Sequence, residues 1–363
     1  MIGAAEEYGR LEDLPAACAP LFAAAGETSF FLGRIWWESV LEAGMENEAA
    51  AVFLLFRCRQ RPVALLVLQT RNRGRKAEGL TNPYTCLYAP LLAAELNAAA
   101  LHRVGERLAE ACRRWPVVRL DACEPGSPAF SLVLAGMEAS GRVVRQFDQF
   151  GNWHEPVAGM TWAGYLQRRP GALRETLRRR TRALARDGLS FELLAAPAEV
   201  EAGITAYECV YAKSWKVPEP MPAFNPALMR RAAEGGLLRL GVLRAADGCA
   251  VAAQLWVVAA GQACLLKLAH DEAFKTYSPG TVLTGLMIER LLDGGGLVEL
   301  DFGRGDDGYK RLWAGSRRRR VGLLLIDPRR PAGLAALARQ VLGGLRRWGH
   351  AAKVVAWVRR SGV

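Results

Sequence analysis

The chain has 363 residues, 51% of them hydrophobic and 23% charged, with ordinary amounts of glycine and proline. That apolar content excludes a chain without real cores, and the length exceeds one typical domain, so two domains are expected. Lys and Arg number 48 against 36 Asp and Glu, and the net charge of +12 favours an anionic partner: a phosphorylated cofactor, a nucleic acid or a membrane surface.

The N-terminal run Met1–Leu14 is acidic and lacks an apolar stretch, so it does not read as a signal peptide. Pro15 and Pro20 break the first helical piece, and Phe30-Phe31-Leu32 with Trp36-Trp37 opens a helix whose aromatic rings are expected in the core. Ala51–Phe56 and Pro62–Gln69 read as strands joined at Arg57–Arg61. A short strand at Cys86–Ala89, a helix over Leu96–Arg114, a strand at Val117–Asp121, a helix near Pro128–Ala139 and a strand at Val143–Phe150 complete this half. Gly151–Pro156 reads as a linker.

Trp162 starts the second half's first helix. Gly171–Arg186 forms another, with Arg174, Arg178, Arg179, Arg180, Arg182 and Arg186 spread around much of its circumference: a solvated face, or a surface for a phosphate-bearing ligand. A strand at Leu189–Leu194, helical pieces at Ala198–Lys213 and Leu228–Glu234, and a strand at Leu237–Leu243 follow. The longest uncharged run, Gly248–Leu266, is long enough for a membrane span, but Gln254 lies inside it and Gly261-Gln262 interrupts it. A buried hairpin, Ala250–Val258 then Ala263–Leu268, fits it better, and the protein is expected to be cytoplasmic. Near the end, Arg317–Arg320 abuts a strand at Val321–Ile326, and Pro331–Trp348 reads as a basic amphipathic packing helix.

The eight cysteines, Cys18, Cys58, Cys86, Cys112, Cys123, Cys209, Cys249 and Cys264, form no CxxC pair, and no histidine sits at metal-ligand spacing. Most lie in apolar runs, where cysteine behaves as a small core hydrophobe, so neither a metal site nor a disulfide framework is expected.

The order of elements repeats. Ala51–Gln69 is strand, turn, strand, followed by strand, helix and the strand at Val117–Asp121. Leu237–Val258 begins the same series, which ends in Leu297–Asp301. The reading is two copies of one α/β unit, each an antiparallel sheet with a parallel crossover. The expected boundaries are 1–155, 156–328 and a C-terminal basic helix and tail at 329–363.

The densest motifs lie between Lys267 and Trp313. The apolar strand Ala263–Ala269 carries Lys267-Leu268-Ala269 into His270-Asp271-Glu272 and a loop ending in Ser278-Pro279-Gly280, and a helix follows, stopped by Gly294-Gly295-Gly296. A second strand then enters Leu300-Asp301-Phe302-Gly303 and Gly305-Asp306-Asp307-Gly308-Tyr309-Lys310. The helix start leaves backbone N–H groups unpaired and, with the helix dipole, favours an anion. Ser278 can cap it, Pro279 is tolerated in the first turn, and Gly280 admits close approach to the backbone. The same string suits any capped helix on a sheet, so these residues alone leave both readings open.

Across roughly Trp162–Leu325 these motifs resemble an acyltransferase family first noted among bacterial cellulose and exopolysaccharide genes. That family is related to the GCN5-related N-acetyltransferases (GNAT) and is more distantly similar to the Fem peptidyltransferases. The resemblance implies an α/β fold of tandem GCN5-like domains, with mixed, mostly antiparallel sheets flanked by helices. It implies acyl-CoA as co-substrate between two splayed parallel strands near Leu265–Ala269, its phosphates at Ser278, Gly280 and Thr281. Lys267, Lys310 and Arg178 join these as cofactor-binding candidates, and Lys275 adds charge. Ser-Pro-Gly replaces the glycine-rich loop of simple acetyltransferases, which leaves the acyl group open.

The resemblance also places a tyrosine after the second strand to protonate the leaving thiolate, and Tyr309 sits there. A base must take the acceptor's proton; Asp301, Asp306, Asp307, His270 and Asp271 are candidates, although Asp306 and Asp271 could equally cap turns. The absence of a G-x-S-x-G elbow, and of a cysteine in a nucleophile's context, favours direct transfer. The first function implied is acyl transfer from CoA to an amine or hydroxyl, with a saccharide or amino-sugar precursor of exopolysaccharide or envelope synthesis as acceptor. The alternatives are Fem-like transfer from an aminoacyl-tRNA, and a non-catalytic nucleic-acid-binding or scaffold protein supported only by the arginine excess.

Overall fold

The computed structural model describes residues 2–340. The first half contains β1 (Glu6–Tyr8), α1 (Ala19–Gly26), α2 (Arg34–Ala43), β2 (Ala50–Cys58), β3 (Arg61–Arg71), β4 (Lys76–Gly79), β5 (Leu91–Leu92), α3 (Ala98–Ala111), β6 (Val117–Cys123) and α4 (Pro128–Ala139). The long strand β7 (Val143–Pro156) leads out of it. The second half contains α5 (Trp162–Gln167), α6 (Gly171–Arg186), β8 (Ser190–Leu194), α7 (Val200–Ala212), α8 (Phe224–Glu234), β9 (Leu238–Arg244), β10 (Ala250–Ala259), β11 (Gln262–His270), α9 (Pro279–Asp293), β12 (Glu299–Arg304), α10 (Lys310–Trp313) and β13 (Ser316–Ile326). Residues 331–340 are helical, and the rest of the expected C-terminal helix lies outside the described residues.

The strands form one mostly antiparallel sheet in the order β1-β2-β3-β4-β6-β13-β7-β12-β11-β10-β9-β8, with β5 beside β3. The expected series of parts occurs twice, as β2-β3-β4-α3-β6 and as β9-β10-β11-α9-β12. Each series closes on a parallel pair, β4 with β6 and β11 with β12.

The two series are joined by β7 and β13, which pair antiparallel from Val143↔Ile326 to His154↔Ser316. One end of β13 also pairs with β6, and the far end of β7 pairs with β12. Gly151–Pro156, expected as a linker, is therefore the second half of a strand. Its backbone groups find partners in β12 and β13, which a local pattern does not reveal. Similarly, Lys76-Ala77-Glu78-Gly79 has no strand pattern of its own, and its neighbours β3 and β6 make it one. Cys86–Ala89 is extended without joining the sheet as a strand.

Trp36 and Trp37 are fully buried, as their spacing predicts, and pack with Phe31, Phe224 and Tyr88. A second core lies under α9, where Val282, Leu283 and Met287 meet Trp256, Leu265 and the α6 residues Leu173 and Leu177. The uncharged run is the β10–β11 hairpin. Among the described residues no helix is long and apolar enough to cross a membrane, and no group of three His, Cys, Asp or Glu could hold a metal ion.

Candidate active site

Two irregularities in β11 create the site. Along β10, Leu255 pairs with Lys267 and Trp256 with Leu265, so Leu266 is the extra residue of a β-bulge. On the other edge, β11 pairs with β12 only at Gln262–Cys264 with Glu299–Asp301. Beyond that β11 and β12 part, while β12 keeps β7 on its other side from Glu299↔Pro156 to Arg304↔Asn152, with a register shift between Asp301 and Arg304.

Gly303 sits at the fork. Its φ is +68°, and a Cβ there would lie 2.7 Å from the Leu265 carbonyl oxygen, so glycine alone fits. Asp301 holds this geometry: Oδ1 accepts from Gly303 N at 2.7 Å and from Asn152 Nδ2 at 2.6 Å, and Oδ2 accepts from Arg318 Nη2 at 2.6 Å. Gly303→Ala is expected to cost about 1–2 kcal/mol for the left-handed backbone alone, and to push the Leu265 carbonyl out of place. A lower urea midpoint for the variant checks this, and an unchanged midpoint refutes it.

The wedge opens into two cavities that meet at Trp215, Leu268 and Tyr309. One, of about 520 Å³, lies against the start of α9 and is lined by His270, Lys275, Ser278, Gly280 and Thr281. Pro279 brings no N–H to the first turn, and the amides of Gly280 and Thr281 have no acceptor within the helix. Ser278 does not cap, contrary to the expectation from sequence. Its φ of 53° is left-handed rather than extended, and its side chain makes no capping bond. The turn is instead braced by the buried Gln254, whose Nε2 donates to Gly280 O at 3.1 Å and to Thr284 Oγ1 at 2.7 Å. Trp256 Nε1 completes the brace by donating to Gln254 Oε1 at 2.8 Å. The His270 ring lies 4.4 Å from that of Trp215, and its buried Nδ1 has no partner. Burial, aided by Lys275 and Lys216 against the pull of Glu272, lowers the His270 pKa and favours neutral imidazole.

The other cavity, of about 450 Å³, faces the first half, where Tyr84 and Cys86 meet Lys216, Lys267, Arg304 and Lys310. Side chains alternate along β11, so Leu268 and His270 approach Gly280 while Lys267 turns to Tyr84. Lys267 Nζ lies 2.6 Å from Glu219 Oε1 and 3.8 Å from the Tyr84 ring centroid. The Tyr84 hydroxyl donates to the other Glu219 oxygen. Burial would raise the Glu219 pKa, but the bonds from Lys267 and Tyr84 hold it below the usual range. Lys310 Nζ donates to Arg304 O at 2.6 Å and lies 3.3 Å from Asp307. At the junction, burial raises the Tyr309 pKa, with Asp307 adding to it, so the phenol keeps its proton.

Of the residues singled out from sequence, His270, Ser278, Gly280, Thr281, Tyr309, Lys267 and Lys310 line the cleft, although Lys267 and Lys310 face the second cavity rather than the start of α9. Asp301 is taken up at the fork on both oxygens. Asp306 bonds Arg317 Nε at 2.6 Å and Trp153 Nε1 at 3.0 Å, outside both cavities. The Arg317 bond holds its carboxyl down to about 2, which suits an ion pair and not a base. Asp271 caps the turn that follows it, accepting from Ala273 N at 2.9 Å. Arg178 pairs with Glu175 on the exposed face of α6 and lines neither cavity. Tyr84, Trp215, Lys216 and Glu219 were not legible as site residues. They come from separate loops, and the available signal was a tryptophan beside the proline-rich run Val217-Pro218-Glu219-Pro220-Met221-Pro222.

Residues 171–311 match a family model described as an acetyltransferase (GNAT) domain. No curated protein matches the sequence. Among solved structures the chain is similar to FemX, with a TM-score of 0.62 and 9% identity, covering 89% of this chain and 98% of that one. It is also similar to a conserved protein of unknown function from Bacteroides thetaiotaomicron VPI-5482, with a TM-score of 0.54 and 10% identity over 86% of this chain and 98% of that one. A tandem GNAT protein from the clavulanic acid biosynthesis pathway gives a TM-score of 0.50 and 14% identity over 90% of this chain and 99% of that one. At such identities the likeness is one of fold.

Proposed function

From the premise that residues 171–311 form a GNAT acyltransferase domain, we propose that this protein moves an acyl group from acyl-CoA to an amine or hydroxyl acceptor. The observation that carries the reading is the fork between β11 and β12, which opens beside the free amides of α9 on one side and a protonated tyrosine on the other. The diphosphate of the donor would meet the Gly280 and Thr281 amides at the helix start. The thioester would lie along the unpaired edge of β11, where backbone N–H groups can stabilise a tetrahedral oxyanion.

In this reading the acceptor attacks the carbonyl carbon, the C–S bond breaks, and Tyr309 protonates the departing thiolate. His270, neutral by burial, is the candidate base; its Nδ1 is buried and its Nε2 lies 3.5 Å from Glu272 Oε1, so Nε2 is the nitrogen that would take the acceptor's proton. Saccharide and amino-sugar precursors remain the proposed acceptor class. The division at 155/156, with β7 and β13 shared between two GNAT-like units, and a cytoplasmic location belong to the same proposal. Calorimetric titration with CoA thioesters of increasing chain length is expected to show binding of at least one. Absence of heat with every thioester would end the proposal.

A second reading, transfer from an aminoacyl-tRNA, draws on α6, where the exposed Arg174, Arg179 and Arg182 have no ion-pair partner among the described residues. It requires tRNA binding that weakens steeply with salt, because phosphate contacts release counterions.

A further inference from the structure

The cavity facing the first half has a charge imbalance. Lys216, Lys267, Arg304 and Lys310 line it against the single carboxylate Asp307. Two of these cations are accounted for: Lys267 pairs with Glu219, and Lys310 is held by two carbonyls and Asp307. The other two are not. The Lys216 ammonium makes no hydrogen bond or ion pair among the described residues, and Nζ lies 5.8 Å from the centroid of the Trp215 ring. Arg304 likewise has no ion pair, and its guanidinium lies over the Phe150 ring at 4.3 Å.

These two cations come from different elements, the loop between α7 and α8 and the end of β12, yet they open on the same space. An ammonium withdrawn from water without a counter-charge costs free energy, which an arriving anion would offset. Burial, with Lys267 and Lys310 adding to it against Glu219 and Asp307, pulls Lys216 down to about 8. The cavity at the start of α9 differs: its cation Lys275 lies 3.7 Å from Glu272, and backbone amides provide its anion site.

We infer that Lys216 and Arg304 clamp an oxyanion, a carboxylate or a phosphate, carried by the acceptor, and that this clamp brings the acceptor's amine or hydroxyl to Tyr309. The clamp deepens the acyl-CoA reading and rests on it only for which cavity receives the donor.

The test uses the full chain, as wild type, Lys216→Gln and Arg304→Gln. Each protein is titrated with inorganic phosphate and, separately, with acetate, with and without saturating CoA. The expected result is anion binding that persists in the presence of CoA and weakens at least tenfold in each variant, while CoA affinity is retained. The stronger of the two anions identifies the acceptor's charged group. Absence of affinity for either anion in the wild type, unchanged affinity in both variants, or displacement of the anion by CoA overturns the inference.

In turnover, an amino sugar is compared with its phosphate ester. The ester is expected to be the better acceptor, with its KM raised tenfold or more by Lys216→Gln and kcat largely kept. Where acetate binds more tightly, the carboxylated amino sugar replaces the ester, and equal use of the neutral sugar and the derivative bearing the tighter-binding anion also overturns the inference. Loss of CoA binding in the wild type would strike the donor reading, whereas anion affinity that ignores both substitutions strikes the clamp.

Discussion

Tyr309→Phe is expected to lower kcat for acyl transfer by about 10²-fold or more, the scale on which a positioned general acid acts. The substitution removes one oxygen at the meeting point of the two cavities. That hydroxyl makes no hydrogen bond among the described residues, so stability should stay within about 0.5 kcal/mol of wild type and acyl-CoA affinity should be unchanged. Steady-state kinetics beside calorimetry separates the outcomes. A fall in kcat with retained binding places Tyr309 in the chemical step, and an unchanged kcat removes it from the reaction. Because burial and Asp307 raise its pKa, the wild-type phenol stays protonated through the neutral range and offers a proton rather than accepting one.

Arg169→Met is expected to destabilise the protein by about 3–5 kcal/mol, the cost of leaving buried Glu155 without its close partner, since the exposed Arg168 lies 3.7 Å away. Glu155, on β7, has its side chain only 2% exposed, and Arg169's is only 5% exposed. Glu155 Oε1 accepts from Arg169 Nη2 at 2.6 Å, and Oε2 accepts from Gly315 N at 2.6 Å. Arg169 Nη1 in turn donates to Trp313 O at 2.6 Å, alongside the Tyr165 hydroxyl at the same distance. One ion pair therefore ties β7, the approach to α6 and the entry to β13, and it braces Trp313, which lines the cavity at the start of α9. Chemical denaturation of the variant checks the magnitude. Adding Glu155→Leu to it should recover much of the loss, since removing both charges avoids the uncompensated carboxylate. A single variant as stable as wild type would show that the pair carries no such burden.

Features set by local chemistry were legible in the sequence. The helix at Gly171–Arg186 has Leu173, Leu177 and Leu184 at helical spacing, and they are the residues it buries. The uncharged run read as a hairpin because Gly261 and Gln262 interrupt it, and Gln254, the polar residue that argued against a membrane span, is the brace beneath the Ser278 turn. His270, Ser278, Gly280, Thr281 and Tyr309 lie within one stretch of chain, and the resemblance marks that stretch as a unit; these residues line one cleft.

Asp301 and Asp306 show the limit of such reading. A carboxylate in a motif has the same composition whether it is a base or a bracket, and only Arg318, Asn152 and Arg317 decide which it becomes.

By itself, then, the sequence determined the order of elements, the twofold series and the motif-bearing stretch, because these depend on residues a few positions apart. The tertiary structure alone decided that Gly151–Pro156 is a strand shared by both series, that Asp301 props open the fork, and that Tyr84 and Lys216 share a cavity wall with Lys267, whose ammonium Glu219 holds. Each of these rests on a partner far away in the chain. Glu219 is 135 residues from Tyr84, and Asn152 is 149 from Asp301. Hydrogen-bond satisfaction and desolvation belong to the packed environment, and no local pattern encodes which distant group will supply it.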